Sequence, residues 1–200
     1  MLVLATRNRK KRDELLEILG GAGVELRDLS DWPHLPDVVE DGATFEANAQ
    51  KKASEFAQRT GHWTLGEDSG LAVPALGGRP GVLSARYGGS HGDDAANNSL
   101  LLSELEPLPE DARSAYYVCV VALADPRGEV KAIAEGRCHG TITRELRGTG
   151  GFGYDPLFLI PEYHRTFGEL GPRVKHAISH RARALSRLAR AIRSHVTSVD

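Results

Sequence analysis

ARSAYYVCVVALADPRGEVKAIAEGRCHGTI, residues 112–142, is a pair of apolar, β-rich runs on either side of Asp125-Pro126-Arg127-Gly128. Tyr, Val and Cys favour extended backbone, and Asp-Pro followed by Gly is a turn signal, so the stretch predicts two strands joined as an antiparallel hairpin. That pair argues against a purely parallel sheet. Working outward, GTGGFGYDPLFLI (148–160) predicts a glycine loop running into a strand. A last helix is expected from about Lys175, with Ile178, Ala182, Leu185, Ala189 and Ile192 as its apolar stripe. Toward the N-terminus, Asp93 to Leu105 has the pattern of a helix, and Thr44 to Arg59 another, with Phe45, Ala49, Ala53 and Phe56 on one face and Gly61 closing it. WTLGEDSG (63–70) reads as a strand that delivers its acids at its end. VELRDL (24–29) reads as a second strand, and LVLA (2–5) as the first. Strands and helices therefore alternate around one large mixed sheet, an α/β protein.

The chain has 200 residues, 40% of them hydrophobic, enough for one domain with a sizeable core. Its net charge is only −2, but the distribution is uneven: residues 171–200 hold seven Arg and Lys against one acid. Acids gather in the middle, at Glu40 and Asp41, Glu67 and Asp68, and Asp93 and Asp94. Such a division suits an anion handled together with a divalent cation, and it also suits ordinary solvated faces. Cys119 and Cys138 form no CxxC or zinc spacing, and Cys119 reads as a buried small hydrophobe in a reducing compartment. No apolar run reaches the roughly 18 residues of a membrane span, and none resembles a signal peptide. A cytoplasmic protein with no membrane partner is expected.

The first cationic segment, TRNRKKR (6–12), places Arg7, Arg9, Lys10, Lys11 and Arg12 around the start of a helix capped by Thr6 or Asn8 and ending at Gly20-Gly21. A helix N-terminus already carries about half a positive charge, so cations are mildly repelled there unless an anion lies among them. In EDSG, Glu67 and Asp68 point to opposite faces of a strand; Asp68 is the stronger ligand candidate because Ser69 and Gly70 follow it into a loop. Glu40, in EDG, offers a second oxygen. Mg²⁺ needs only one or two protein carboxylates, although exposed acids before a turn fit the same residues. GGFGYDP (150–156) sets flexible backbone beside Phe152 and Tyr154, either of which could stack on a base or fill a core. No Walker motif and no strand-linked GxGxxG with a following acid occurs. In KHAISHRARAL (175–185), His176 and His180 lack the third ligand a zinc site needs, whereas Lys175 and Arg181 are donor-only groups suited to phosphate or a purine oxo group.

Taken together and in order, TRNRKKRDEL, EDGATFEANAQKKA, EDSGLAVPALGGRPGVLSARY, GGFGYDPLF and KHAISHRARAL closely resemble the inosine/xanthosine triphosphate pyrophosphatase family. The resemblance spans nearly the whole chain, residues 1–200 as a single domain. It implies an elongated two-lobed α/β fold around a long mixed β-sheet with the active site in the cleft between lobes, Mg²⁺ dependence and a homodimer. By the same resemblance, Thr6, Arg7, Asn8, Arg9, Lys10 and Lys11 hold the triphosphate, with Asn8 and Lys11 matching T-x-N-x-x-K. Glu40 and Asp68 bind Mg²⁺, Asp68 is also the proton acceptor, and Ser69 touches substrate. Phe152, Gly153, Tyr154, Asp155, Lys175, His180 and Arg181 surround the nucleoside. Arg7 stands where many members have Gly, Ala47 stands where F-x-E-N-A has Glu, and Lys52 keeps the basic residue of that helix. The implied reaction releases monophosphate and pyrophosphate from inosine, deoxyinosine or xanthosine triphosphate. No nucleic-acid polymer is expected as a partner. A nucleotide or RNA binder would need the cations without Asp68 and Glu40, and a phosphatase would release orthophosphate instead.

Overall fold

The structure, a computed structural model, describes residues 1–196; the last four residues of the 1–200 span lie outside the described residues. Seven strands form one mixed sheet in the order β2-β1-β3-β4-β5-β6-β7: β1 Leu2–Leu4, β2 Leu26–Asp28, β3 Trp63–Ala72, β4 Ser114–Ala124, β5 Val130–Ile142, β6 Phe158–Ile160 and β7 Arg165–Thr166. β1 pairs in parallel with β2 and β3, and β6 pairs antiparallel with β5 and β7. The expected hairpin is present as β4 and β5, adjacent in the sheet and closed by the Asp125 N–H donating to the Glu129 carbonyl (2.9 Å). Among the described residues, five α-helices accompany the strands: α1 Arg9–Leu19, α2 Phe45–Thr60, α3 Asp94–Leu105, α4 Pro172–Ile178 and α5 His180–Val196.

Local chemistry sets these limits. The Asn8 side chain accepts from Lys11 N at the start of α1, and Gly20 ends it. The Thr44 hydroxyl accepts from Ala47 N to start α2, and Gly61, at φ +72°, ends it in the left-handed conformation. Asp93 caps α3 in the same way as Thr44 caps α2.

Two expectations are corrected. β3 does not end at the acids but continues through Ser69 and Gly70 to Ala72, because the Ser84 hydroxyl accepts from Leu71 N (2.9 Å) and packs where a Cβ on Gly70 would stand (2.4 Å). Glu67 and Asp68 are therefore mid-strand residues. After β3, short 3₁₀ turns occupy Pro74–Leu76 and Gly81–Arg86. The last helix is two helices rather than one. Ser179 adopts an extended conformation (φ −66°, ψ 161°) and donates its N–H to the Lys175 carbonyl, so Ile178 ends α4 and the remaining stripe belongs to α5.

The chain divides into two compact units. The first, Met1–Asp68, Cys119–Gly136 and His180–Asp200, has a core in which Leu2, Leu4 and Leu65 meet Leu15 of α1 and Leu185, Leu188 and Ile192 of α5. The second, Ser69–Val118 and Arg137–Ser179, is built on Leu71, Leu101, Leu105, Tyr117, Phe158 and Phe167. Among the described residues no helix is long and apolar enough to cross a membrane.

Candidate active site

In the first unit, β3 lies directly on α2. A Cβ on Gly66 would stand 2.2 Å from the Ala49 carbonyl oxygen and 2.5 Å from Ala53 N, so only glycine permits this approach. Two residues farther along the same face, Asp68 meets Asn48 and Lys52, which lie four apart on α2 and so share a face. Asn48 Nδ2 donates to Asp68 Oδ2 (3.1 Å) and Lys52 Nζ donates to Asp68 Oδ1 (3.4 Å). Lys52 Nζ also reaches Glu40 Oε2 (2.8 Å), and Asn48 Oδ1 receives the Gly42 N–H (2.8 Å), which seats the Glu40-Asp41-Gly42 turn. The two carboxylates singled out in the sequence, 28 residues apart, thus converge on one ammonium.

The electrostatics follow from this geometry. Asp68 is buried, and desolvation pushes its pKa above the ordinary value; Lys52 and then Lys11 oppose the shift, while Glu40 and Glu67 add to it. Burial acts to lower the Lys52 pKa, but Asp68, Glu40 and Glu67 together outweigh it, and the net direction is up. Lys52 is therefore a permanent cation between two acids. The donor set of Glu40 and Asp68 is two hard carboxylates, and among the described residues no cluster of three or more His, Cys, Asp and Glu is placed to hold a metal. Two carboxylates with water and phosphate oxygens fit Mg²⁺, and they do not fit a closed structural zinc site.

Glu67, on the opposite face of β3, is 2% exposed and forms the centre of a second network. Lys11 Nζ lies 3.1 Å from its Oε2; Arg181 Nη2 donates to its Oε1 (2.9 Å), and the Cys119 thiol donates to the same oxygen (3.5 Å). Arg181 Nη1 donates to Glu14 of α1. Arg181 is itself 1% exposed, and both of its terminal nitrogens are engaged with carboxylates. His180 is buried beside it in the chain. Burial together with Glu67 drives the Cys119 thiol pKa well up, so this is a protonated, inert cysteine.

The other early cations divide into two groups. Arg7 reaches back to Asp37 (2.7 Å) and to the Leu35 carbonyl (2.6 Å), and Arg12 pairs with Asp13 (2.8 Å) and Asp28 (3.8 Å). Arg9 and Lys10 are exposed on the first turn of α1, and Thr6 Oγ1 accepts from Asn8 N (3.2 Å) in the turn before it.

In the second unit, Asp155 organises the glycine loop. Its Oδ2 accepts from Phe152 N (2.8 Å) and from Lys175 Nζ (2.6 Å), and its Oδ1 from the Tyr117 hydroxyl (3.3 Å). A Cβ on Gly151 would stand 2.0 Å from Asp155 Oδ2, so the carboxylate can turn inward only past a glycine at φ +71°. Lys175 Nζ stands 4.5 Å above the Phe152 ring. The two aromatics part company here: Tyr154 is 3% exposed, donates to the Ser84 carbonyl (2.9 Å) and belongs to the core, whereas Phe152 and Gly153 are half-buried. Ser69 is also half-buried. The sequence names Glu67 and Asp94 only as members of acid pairs and does not single out Glu14, Asn48 or Asn98. Only Asn48 had a usable signal, its spacing of four from Lys52.

A model of the Ham1 family matches residues 2–191. The chain is 53% identical to the dITP/XTP pyrophosphatase of Rhodopirellula baltica, over 98% of this chain and 97% of that protein. It is 52% identical to the dITP/XTP pyrophosphatase of Desulforamulus reducens, over 93% and 92% of the respective chains. Its fold matches the structure of a HAM1 protein from Coxiella burnetii with a TM-score of 0.87 at 39% identity, covering 96% of this chain and 98% of that one.

Proposed function

The chain belongs to the Ham1 family, and we propose that it hydrolyses non-canonical purine nucleoside triphosphates (ITP, dITP and XTP) to the monophosphate and pyrophosphate, removing deaminated purines from the nucleotide pool. The observation that carries this reading is the convergence of Glu40 and buried Asp68 on Lys52. A protein that merely binds nucleotides needs cations and has no need of two carboxylates brought to one point.

Glu40 and Asp68 would hold Mg²⁺, which when bound neutralises phosphate charge. Asp68 is the proton acceptor: as water oxygen bonds to the α-phosphorus and the bond to the bridging oxygen of the β-phosphate breaks, the water proton passes to its carboxylate. Asn48 and Lys52 hold that carboxylate in one orientation before reaction, so little reorganisation accompanies the step. Pyrophosphate departs against Lys11, Lys10 and Arg9 at the start of α1, with Thr6, Arg7 and Asn8 shaping that turn. Ser69 lies next to Asp68 in the chain and contacts substrate. The resemblance assigns Phe152, Gly153, Tyr154, Asp155, Lys175, His180 and Arg181 to the nucleoside, Tyr154 as the core anchor of its loop and Arg181 through its hold on Glu67. Phe152 supplies the stacking face, and donor groups meet the 6-oxo acceptor where adenine would present an amino donor. The chain acts as a single functional domain and as a homodimer in the cytoplasm, the former checked by limited proteolysis, the dimer by light scattering and the location by cell fractionation.

Incubation with ITP and Mg²⁺ tests the reaction. Pyrophosphate and inosine monophosphate in equal amounts are expected, and chelation of the metal abolishes both. Orthophosphate as the first product would make the protein a phosphatase, and binding without turnover would make it a nucleotide binder.

A further inference from the structure

Gly153 is gripped at both of its backbone polar groups by one face of α3. Its N–H donates to Asp94 Oδ2 (2.9 Å), and its carbonyl accepts from Asn98 Nδ2 (2.9 Å). Asp94 and Asn98 are four apart, so they stack on the same side of the helix. The two bonds bracket the Gly153 Cα, which has φ +62° and nothing within 4 Å of where a Cβ would stand. Packing therefore does not fix this residue. A glycine loses more backbone freedom on ordering than any other residue, and here hydrogen bonds supply the constraint. Asn98 is buried, and among the described residues its one side-chain hydrogen bond goes to Gly153. Because a carbonyl can only accept, the amide must present its nitrogen.

We infer that Asp94 and Asn98 are positioning residues that set the specificity of this enzyme by holding Gly153, and with it the adjoining Phe152 ring, in the orientation that receives the purine. The inference rests on the assignment of Phe152 to the nucleoside side. Gly153 lies between Phe152, whose ring carries the Lys175 ammonium, and Tyr154, which is anchored in the core. Tyr154 holds one end of this short segment and Asp155 holds the Phe152 N–H. The clamp removes the remaining freedom, rotation about the glycine. Without it, Phe152 shifts from under the Lys175 ammonium 4.5 Å above its ring, and discrimination weakens because that donor, suited to a purine oxo group, is no longer held in one place against the base.

The test compares Asp94→Ala, Asp94→Asn, Asn98→Leu, Asn98→Asp and Phe152→Ala, using ITP and ATP as substrates and inorganic tripolyphosphate as a competitive inhibitor that has no base. Asp94→Asn keeps an acceptor for the Gly153 N–H and should retain the wild-type KM for ITP. Asp94→Ala and Asn98→Leu should raise that KM by about 3- to 10-fold, the factor that loss of one hydrogen bond gives. Asn98→Asp, isosteric but facing a carbonyl with a second acceptor, should raise it most. In each affected variant the ITP/ATP ratio of kcat/KM should shrink, while kcat for ITP and inhibition by tripolyphosphate stay unchanged. A merely structural role would lower the melting temperature without this ranking and without separating ITP from tripolyphosphate. If Phe152→Ala raises the ITP KM but the α3 variants do not, the clamp has no part in specificity. If Phe152→Ala changes nothing, the assignment of the nucleoside to this loop falls, and the clamp inference with it.

Discussion

Replacing Arg181 with Ala is the perturbation that best separates base recognition from architecture. Its two terminal nitrogens lie on Glu14 and Glu67, and all three side chains are buried. Burial pulls the guanidinium pKa down, Glu67 and then Glu14 pull it up, and the net direction is up, so the group stays charged at every pH the fold tolerates. Removing one partner of a buried ion pair costs about 3–5 kcal/mol, because the carboxylates left behind are desolvated without compensation. For a chain of this length each kcal/mol lowers Tm by about 2–4 °C, so Arg181→Ala should melt about 6–20 °C lower. Glu67 would keep Lys11 at 3.1 Å, drawing Lys11 away from phosphate. Glu14→Gln in the same background should recover part of the loss, a coupling of about 0.5–3 kcal/mol in a double-mutant cycle. Scanning calorimetry gives the stability, and rates with ITP and ATP below the mutant's Tm give the chemistry. If Arg181 also donates to the purine O6, activity on ITP falls much more than on ATP. A Tm within about 1 °C of wild type would refute the buried network, and an equal fall for both substrates would confine Arg181 to holding Glu67.

Asp68→Asn should nearly abolish hydrolysis while the fold and nucleotide binding persist; near-normal turnover would remove Asp68 as proton acceptor. Glu40→Gln should chiefly raise the Mg²⁺ concentration needed for half-maximal rate, and an unchanged titration would take Glu40 out of the site. Asn48→Ala loses the contacts to Asp68 and Gly42 together and should lower kcat by about tenfold, two hydrogen bonds at about 0.5–1.5 kcal/mol each, with the Mg²⁺ requirement rising as the Glu40 turn loosens. Lys11→Ala should weaken inosine triphosphate binding by tenfold or more, the value of a charge-assisted contact of about 1.5–3 kcal/mol, with inosine monophosphate affected far less; equal losses in competition assays would count against a role on the leaving group.

What the sequence made legible were features set by neighbours in the chain. Asn8, Thr44 and Asp93 cap helices because a short polar side chain reaches the N–H three residues on, and Gly61 ends α2 because it alone takes φ +72° freely. The hairpin at Asp125 to Gly128 is equally local. The mistaken strand end at EDSG has the opposite cause: Ser-Gly favours a turn locally, but Ser84, thirteen residues beyond Leu71, accepts the N–H that keeps β3 extended. The break at Ser179 was hidden because the apolar stripe keeps its period across it. The acid pairs EDG and EDSG pointed to Glu40 and Asp68, and the resemblance gave them roles, but their meeting on Lys52 depends on how closely α2 lies on β3, which Gly66 permits and no motif announces.

Glu67 and Asp68 show why adjacency in sequence says little about role. Strand alternation sends them to opposite faces, as expected, yet both are buried and both gather cations, so neither charge pattern nor composition separates them. Their second partners do. Glu67 is buried among Arg181, Lys11 and the Cys119 thiol, and a carboxylate so enclosed serves to fix those donors. Asp68 has one neutral amide and one ammonium shared with half-exposed Glu40, whose carboxylate opens toward solvent. The Asp68 network thus reaches an exposed carboxylate through Lys52, and the Glu67 network is buried. Exchange of the pair, Glu67→Asp with Asp68→Glu, keeps composition and net charge but should still abolish turnover, because each side chain changes length within its own donor set; retained activity would mean that carboxylate placement on β3 is not what the reaction requires.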